Sequence, residues 1–230
     1  MSTLYIVSTP IGNLKDISFR AIQTLKEVDL ILCEDTRVTR KLLNHYQIKK
    51  QLISYHQYSK LKKVNYIIEL LKQGKDLALV SDAGTPGISD PGNKLVRDII
   101  VSLGNEVKII PIPGPSAVTT ALSISGFGTD RFLFLGFPPK KKKRKKFFEE
   151  LINSKYLVAF YESPYRIIKT LEELRNSLNT KYKIQNTKIV VCRELTKKFE
   201  TVYRGNINEV IENIKKDKVK GEFVVIINKG

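Results

Sequence analysis

Short apolar runs alternate with amphipathic segments through the first half of the chain. Four of these runs have the length and composition of buried strands: LYIVS, DLILCE, DLALVS and EVKIIPI. The segments between them repeat apolar residues at helical spacing, with Ser18 placed to cap the first helix and Gly74 placed to end the third. Strands separated by helices in this way predict parallel βαβ units.

The pattern changes at PIPGPSAVTTALSIS, where three prolines forbid a helix before Ser116 and a helix can run over Ala117–Ser125. We place a domain boundary here, which gives an N-terminal α/β domain of residues 1–112 and a C-terminal α/β domain of residues 113–230. The second half brings three strands near its end with one helix among them. The N-terminal sheet is therefore predicted to be rich in parallel strands, and the C-terminal sheet is predicted to be mixed.

The chain has 230 residues, 42% of them apolar, which is enough to bury a substantial core. No run approaches the roughly 18 apolar residues of a transmembrane helix, and MSTLYIVSTP lacks the features of a signal peptide. Cys33 and Cys192 lie in strand-like runs and are predicted to be free, buried thiols of a cytoplasmic protein. His45 and His56 have no neighbouring cysteine, so no metal site is expected.

The formal net charge of +17 is distributed unevenly. Residues 1–112 carry 16 basic and 11 acidic side chains, whereas residues 113–230 carry 24 and 12. Such asymmetry favours a polyanionic partner, most simply a nucleic acid. Seven consecutive cations are predicted to contact RNA phosphates: Lys140, Lys141, Lys142, Lys143, Arg144, Lys145 and Lys146. The alternative is a solvated entry to the following helix.

The segment SDAGTPGISDPG, residues 81–92, is a glycine- and proline-rich loop between a predicted strand and a predicted helix. It misses the P-loop pattern, because Asn93-Lys94 stands where Lys-Ser/Thr is required, and its glycine spacing misses the dinucleotide fingerprint. The loop carries Asp82 and Asp90 and no basic residue. A neutral or cationic ligand, such as the sulfonium of S-adenosylmethionine (SAM), therefore suits it better than a triphosphate.

Two further glycine-proline loops, TPIGNLKD and PIPGPSA, also follow predicted strands. If the strands are parallel, all three loops meet at the carboxyl edge of the sheet, where α/β proteins form ligand crevices. The alternative is that these are ordinary tight turns.

Six motifs occur in a fixed order: TPIGNLKDIS, CEDTRVTRKLL, LVSDAGTPGISDPG, PIPGPSAVTTALSISG, YESPYR and CRELTKKFE. Together they resemble the bacterial ribosomal RNA small subunit methyltransferase I family, which belongs to the tetrapyrrole methylase-like SAM enzymes. The resemblance implies methyl transfer from SAM to the ribose 2′-oxygen of a cytidine in the decoding region of 16S rRNA. It also implies two α/β domains with SAM in the cleft between them, and a homodimer.

Longer members of the family carry a helical C-terminal extension, whereas this chain stops at EFVVIINKG. We therefore expect any RNA contact made by that extension to be absent or supplied by the basic run.

The resemblance also implies which residues hold SAM. They are Pro10, Gly12, Gly84, Thr85, Pro86, Ile88, Ser116, Ala117, Tyr161, Glu162, Gly221 and Glu222. For Glu162 the alternative is a carboxylate facing a helix N-terminus. For the glycines the alternative is backbone necessity, and both interpretations can hold together.

No histidine lies near a ligand loop, which leaves carboxylates and lysines to accept the proton of a reacting hydroxyl. We predict Asp35 as the base or hydroxyl acceptor, Arg37 as the group that orients it, and Lys197 as a supporting contact. The alternative for the first pair is a helix capped by Thr36 with flanking ions. Lys197 belongs to a second charged cluster with Glu194, for which an ion-paired turn is the alternative.

Two other functions are compatible with parts of this pattern. A SAM-dependent methylase of the same fold could act on a tetrapyrrole or a protein side chain, although such a substrate gives little reason for the charge on the second half. A non-catalytic RNA-binding module would leave the three ligand loops unexplained.

Overall fold

In the computed structural model the described residues are 1–56, 59, 61–90, 92–179 and 187–229, so Pro91 of the glycine- and proline-rich loop lies outside them. The chain divides into two units, Met1–Ser116 and Ala117–Gly230. The first unit contains β1 (Ser2–Val7), α1 (Phe19–Glu27), β2 (Leu30–Cys33), α2 (Thr36–His45), β3 (Gln51–Ser54), α3 (Leu61–Lys72), β4 (Leu77–Leu79), α4 (Asn93–Leu103) and β5 (Val107–Ile112).

The five strands of this unit form one parallel sheet in the order β3-β2-β4-β1-β5. Helices cover both faces, and the alternation of side chains along β2 shows how. Leu30 and Leu32 pack with α3 and α4, whereas Ile31 and Cys33 pack with α1 and α2. A strand buried on both sides must be apolar at every position, which explains why LILC carries no polar residue.

Local signals place the helix ends of the first unit. The Ser18 hydroxyl accepts a hydrogen bond from the Ala21 amide at 3.1 Å, which confirms the predicted cap of α1. Gly74, with φ of +82°, ends α3 as predicted, because its amide and that of Lys75 return to carbonyls of the last turn. Strand β3 was not predicted, because it is a four-residue edge strand with no fully buried residue.

The second unit contains α5 (Ala117–Ser123), β6 (Phe132–Phe134), α6 (Arg144–Asn153), β7 (Leu157–Glu162), α7 (Ile167–Asn179), β8 (Lys188–Arg193), β9 (Thr201–Asn206), α8 (Ile207–Lys216) and β10 (Phe223–Asn228). Its sheet has the order β6-β7-β10-β8-β9. The β6–β7 pair is parallel and the other pairs are antiparallel, so the predicted mixed sheet is confirmed.

Helix α5 is shorter than the predicted helix over Ala117–Ser125, and the segment before α7 is not helical. Helix α5 ends at Ser123, and α7 begins at Ile167 because the preceding residues 163–166 form a turn. Helix α8 begins with a capping box, in which Asn206 and Glu209 each bond to the other's backbone amide.

Cys33 and Cys192 are both buried and free, as predicted. Burial raises the pKa of the Cys192 thiol to about 11, so this side chain is a neutral core residue at physiological pH. Within the described part of the chain, no helix is long and apolar enough to cross a membrane. Nor do the described residues include a group of histidine, cysteine and acidic side chains that could hold a metal ion.

Candidate functional site

The three glycine-proline loops follow β1, β4 and β5, which are neighbours in the parallel sheet. The first two loops pair through a β-bridge, in which the Thr9 amide donates to the Gly84 carbonyl at 2.9 Å and the Gly84 amide donates to the Thr9 carbonyl at 3.0 Å. The Thr85 hydroxyl donates to the Pro115 carbonyl of the third loop at 3.2 Å. All three loops are therefore joined at one edge of the sheet.

Gly84 lies at the centre of this junction. Its φ of +81° is in the left-handed region, and a Cβ built on it would lie 3.4 Å from the Ile11 side chain and 3.7 Å from the Pro115 carbonyl. Space alone would therefore admit a small side chain. The backbone conformation is what requires glycine here.

The other predicted cofactor residues of the first unit differ in exposure. Pro10 and Pro86 are buried beside the junction, Thr85 is half-buried, and Gly12 and Ile88 are exposed on their loops. Ser116 lies in the third loop and is half-buried. The predicted set therefore includes both residues that build the junction and residues that present surface to a ligand.

Sequence analysis missed three buried hydroxyl residues at the same edge. Ser8, Thr9 and Ser81 are 1%, 1% and 3% exposed. The Ser8 and Thr85 hydroxyls lie 2.9 Å apart, and the Thr9 hydroxyl donates to the Ser81 carbonyl at 3.1 Å. A signal was available, because a Ser or Thr directly after an apolar strand has to be hydrogen-bonded once it is buried.

A charged cluster follows β2, the neighbour of β4 in the sheet. The Asp35 amide donates to the Asp82 carboxylate at 2.9 Å, which ties this cluster to the loop after β4. The suggested Thr36 cap is wrong, because Asp35 caps α2 and accepts a hydrogen bond from the Arg37 amide at 2.8 Å. The cap precedes Thr36 because Thr36 already has helical geometry as the first residue of α2.

Asp35 and Arg37 form a two-pronged ion pair, with 2.6 Å between Nη2 and Oδ2 and 3.0 Å between Nε and Oδ1. Hydrogen bonds from the Arg37 side chain and backbone lower the pKa of Asp35 to about 2. Asp35 is therefore a carboxylate throughout the physiological range and a weak proton acceptor.

Glu34, the preceding residue, behaves in the opposite way. Burial raises the pKa of this carboxyl, the nearby Asp82 carboxylate raises it further, and His56 opposes the rise. A carboxylate with a raised pKa binds a proton more readily than Asp35 does. Of the two acidic residues after β2, Glu34 is thus the better base.

The second charged cluster lies at the edge of the mixed sheet where β8 ends and β10 begins. The Lys197 ammonium donates to Glu194 at 2.9 Å and to Glu222 at 3.0 Å, and the Glu222 amide also donates to Glu194 at 3.0 Å. Burial works against the charge on Lys197, but the hydrogen bonds to both carboxylates outweigh it and raise its pKa. Lys197 is therefore a fixed cation.

Two residues of this turn have unusual backbones. Glu194 has φ of +52° and Thr196 has φ of +66°, in the left-handed region that non-glycine residues rarely adopt. Gly221 makes room for the arrangement, because a Cβ there would overlap the Glu194 carboxylate. Strain of this kind persists only where surrounding contacts hold it, and it is concentrated at functional sites.

Gly221→Ala is expected to displace Glu194 and break its bond to Lys197. Gly126→Ala is the matched control, since Gly126 also has positive φ, of +76°, and a Cβ there would meet nothing within 4 Å. Denaturant unfolding should show that Gly221→Ala loses about 1–3 kcal/mol more stability than the control, the usual cost of overpacking. Equal losses of stability in the two variants would mean that the position of the Glu194 side chain does not contribute to the stability of the unit.

Tyr161 and Glu162 end β7 at the same edge, where Glu162 is paired in register with Phe223 of β10. The Tyr161 hydroxyl accepts a hydrogen bond from the Val118 amide at 3.2 Å. The Glu162 carboxylate is 0% exposed and accepts from the Ser163 amide, the Thr170 hydroxyl and the Arg166 guanidinium, each at 2.7 Å. This buried carboxylate is already hydrogen-bonded within its own unit.

The basic run Lys140–Lys146 contains two kinds of cation. The six lysines are exposed, whereas the Arg144 side chain is 14% exposed and donates to Glu173 at 2.6 Å and to Thr170 at 2.8 Å. Its guanidinium also lies 5.3 Å from the centre of the Phe148 ring. Arg144 anchors the run to α7, and the lysines remain as the surface charge.

Comparison with known proteins places this arrangement among methyltransferases. The family model described as Tetrapyrrole (Corrin/Porphyrin) Methylases matches residues 3–211. Two proteins named Ribosomal RNA small subunit methyltransferase I are similar over nearly the whole chain. The one from Rickettsia prowazekii is 48% identical over 99% of this chain and 78% of its own length. The one from Thermotoga maritima is 43% identical over 99% of each chain.

Solved structures share the fold at much lower identity. A diphthine synthase superposes with a TM-score of 0.71 at 16% identity, covering 99% of this chain and 90% of its own. Uroporphyrin-III-C-methyltransferase from Thermus thermophilus gives 0.64 at 14% identity, with 98% and 94% covered. At this identity the likeness shows the fold alone, and it confirms the predicted two-sheet α/β architecture.

Proposed function

The chain belongs to the ribosomal RNA small subunit methyltransferase I family of the tetrapyrrole methylases, and from this premise we propose that it methylates ribosomal RNA. SAM is the proposed donor, and the proposed acceptor is the ribose 2′-oxygen of a cytidine in the decoding region of 16S rRNA. The observation that carries the proposal is the junction of three loops at the parallel sheet edge, which offers buried hydroxyls and whose loop of residues 81–92 has no cation in its sequence.

The chemistry of this junction suits SAM. The loop of residues 81–92 carries carboxylates but no lysine or arginine, so it offers a positively charged sulfur no repulsion. We assign the holding of SAM to the predicted residues of the first unit, with Pro10, Gly84, Thr85 and Pro86 as its structural centre. When bound, SAM supplies a methyl group attached to a sulfonium sulfur. The leaving group is then a neutral thioether, so no acid is needed to protonate it.

The protein's own task is then to position the ribose hydroxyl and accept its proton. Positioning alone can lower a barrier by several kcal/mol, and a nearby base typically adds about 10²–10⁴-fold. We assign positioning to the fixed carboxylate of Asp35, with Arg37 holding it. Glu34 takes the proton, since its pKa is raised. Lys197, whose pKa is raised and whose donors are engaged by Glu194 and Glu222, is assigned a supporting contact as a fixed cation of the second unit.

Glu34→Gln and Asp35→Asn are expected to separate these roles. Both should lower the single-turnover methylation rate at least about tenfold while leaving SAM affinity unchanged. In the parent, the rate should decrease as the pH is lowered and Glu34 becomes protonated, which gives the pH profile an acidic limb. Asp35→Asn should keep that acidic limb, because the pKa of Asp35 is about 2 and lies below it, and Glu34→Gln should lose it.

A rate unchanged by Glu34→Gln would remove Glu34 from the chemistry. If the acidic limb of the pH–rate profile vanished in Asp35→Asn instead, the role of base would return to Asp35.

The reaction itself is tested by labelled-methyl transfer to small ribosomal subunits and to naked rRNA, followed by nuclease digestion. A 2′-O-methyl group blocks cleavage at the adjacent phosphodiester, so a labelled dinucleotide resistant to digestion is the expected product. Label in a base would refute the ribose assignment. No label in either RNA, with SAM bound normally, would favour a methylase acting on a tetrapyrrole or a protein side chain.

A further inference from the structure

Tyr165 presents an aromatic ring to solvent from the turn between β7 and α7, and it is 95% exposed. Single exposed apolar residues are common on protein surfaces and need no explanation by themselves. The way in which this turn is held, and the charge next to it, distinguish Tyr165 from the others.

The turn is fixed through Arg166, the residue after the ring. Its guanidinium bonds to Glu162 at 2.7 Å and donates to the Pro138 carbonyl at 2.9 Å and to the Ser163 hydroxyl at 3.3 Å. The Arg166 amide closes the turn on the Ser163 carbonyl at 3.1 Å. A ring on a fixed backbone loses little conformational entropy when it binds, which favours affinity.

The same network positions the basic segment. Arg166 binds the carbonyl of Pro138 at one end of the short loop 138–144, and Arg144 at the other end binds Glu173 and Thr170 of α7, so both ends are attached to the α7 region. The first exposed lysine, Lys140, directly follows Pro139, only about 3.8 Å further along the Cα trace. The exposed ring and the exposed lysines therefore extend from one hydrogen-bonded support.

The acidic side chains of this hydrogen-bonded network leave most of the positive charge of the exposed lysines in place. Glu162 is buried and paired with Arg166, and Glu173 is paired with Arg144. Glu149, on the exposed side of α6, faces Lys145 at a distance of 3.9 Å. An exposed aromatic ring and exposed lysines on one support are the combination with which proteins bind unpaired nucleotides, the ring stacking on a base and the cations meeting the phosphates.

We propose that Tyr165 is a stacking site for an unpaired base of the RNA, whose backbone lies on the lysines of the segment 140–146. The proposal rests on the proposed function, because an RNA substrate is its premise. It adds a preference that the lysines cannot give: the site selects single-stranded over double-stranded RNA, since a base inside a duplex does not offer its face.

Tyr165→Ala tests the site against short single-stranded RNA and a duplex of the same length, by fluorescence anisotropy. Single-strand affinity should fall about 5- to 150-fold, the usual effect of losing one base–aromatic stack, while duplex affinity and the salt dependence stay constant. Tyr165→Phe should bind as the parent does. Tyr156→Ala is the matched control, a tyrosine 48% exposed just before the opposite end of β7.

A second readout uses the absence of tryptophan from the sequence. Tyr165→Trp introduces a single indole, whose fluorescence should be quenched by single-stranded RNA and little changed by the duplex. Unaltered single-strand affinity in Tyr165→Ala would overturn the proposal. The proposal would also be overturned if Tyr165→Ala changed the molecular mass measured by light scattering and left RNA affinity intact, because the ring would then contact a second copy of the chain. A parent that binds no RNA at all would instead count against the proposed function.

Discussion

Gly84→Val is expected to abolish SAM binding, with an affinity loss of at least about a hundredfold. Valine is a severe outlier at φ of +81°, and the conformation costs about 1–3 kcal/mol even for less restricted residues. The backbone can relieve this strain only by giving up the paired hydrogen bonds between Gly84 and Thr9. The loops after β1 and β4 would then separate, and the proposed SAM site is formed where they join.

The control for this variant is Gly74→Val, in the same unit. Gly74 has nearly the same φ, +82°, and a Cβ there meets nothing within 4 Å. Both variants should therefore lose stability through the same backbone strain in thermal unfolding followed by circular dichroism, and the Gly84 variant should lose more because it also breaks the junction. Calorimetric titration with SAM at a temperature where both are folded should show binding to the Gly74 variant alone. Equal SAM affinity in the two variants would show that the junction is not the cofactor site.

Replacing Lys140, Lys141, Lys142 and Lys146 with glutamine is expected to weaken RNA binding on the order of a hundredfold at physiological salt. Each phosphate contact adds about 0.7 to the slope of log affinity against log salt for single strands. Losing four contacts should therefore flatten that slope by about 2.8. Arg144 and Lys143 are left in place, because Arg144 anchors the run and Lys143 precedes α6 with φ of +67°.

The matched variant removes the same charge from other exposed positions of the second unit: Lys155, Lys216, Lys218 and Lys220. Filter binding over a range of salt concentrations should show a steeper slope for this variant than for the first. SAM affinity should be the same in both. Equal slopes would mean that net charge, rather than the segment 140–146, attracts RNA.

The parallel sheet of the first unit was predictable because its strands are buried on both faces. LILC can be recognised as a strand since every position meets a helix, and the glycine-proline loops after β1, β4 and β5 punctuate the pattern clearly. Strand β3 was not, because an edge strand has neighbours on one side only and its sequence QLIS alternates weakly. Apolar periodicity measures burial and says little about strands that are scarcely buried.

The candidate site was predictable in its residue types but not in its ionisation. The segment Glu34-Asp35-Thr36 offers several groups able to cap a helix, and the one that does so, Asp35, is also held through its amide by Asp82, which lies 47 residues away. The same contact places a second carboxylate near Glu34 and helps to raise its pKa. The difference in proton affinity between the two adjacent acids thus comes from the burial of Glu34, from this contact with Asp82, and from the hydrogen bonds that Arg37 donates to Asp35.

The basic run illustrates the same limit. Seven successive cations look equivalent in the sequence, yet Arg144 is withdrawn from the surface by Glu173, 29 residues further along the chain. Its side chain is the one able to donate in two directions at fixed angles, which is why an arginine suits this position. A lysine there could not bind Glu173, Thr170 and the Pro139 carbonyl together.

The position of β10 has a consequence for the order in which the second unit folds. This strand is the last of its sheet along the chain, yet it lies between β7 and β8. Until residues 223–228 have been synthesised, β6–β7 and β8–β9 have no strand to join them, and each pair exposes an unpaired apolar edge. Such edges invite association between nascent chains. The first unit passes this stage earlier in synthesis, because β4 joins β1 to β2 by residue 79 and β5 then adds to the outer side of the sheet, so this unit is expected to fold while the second is still incomplete.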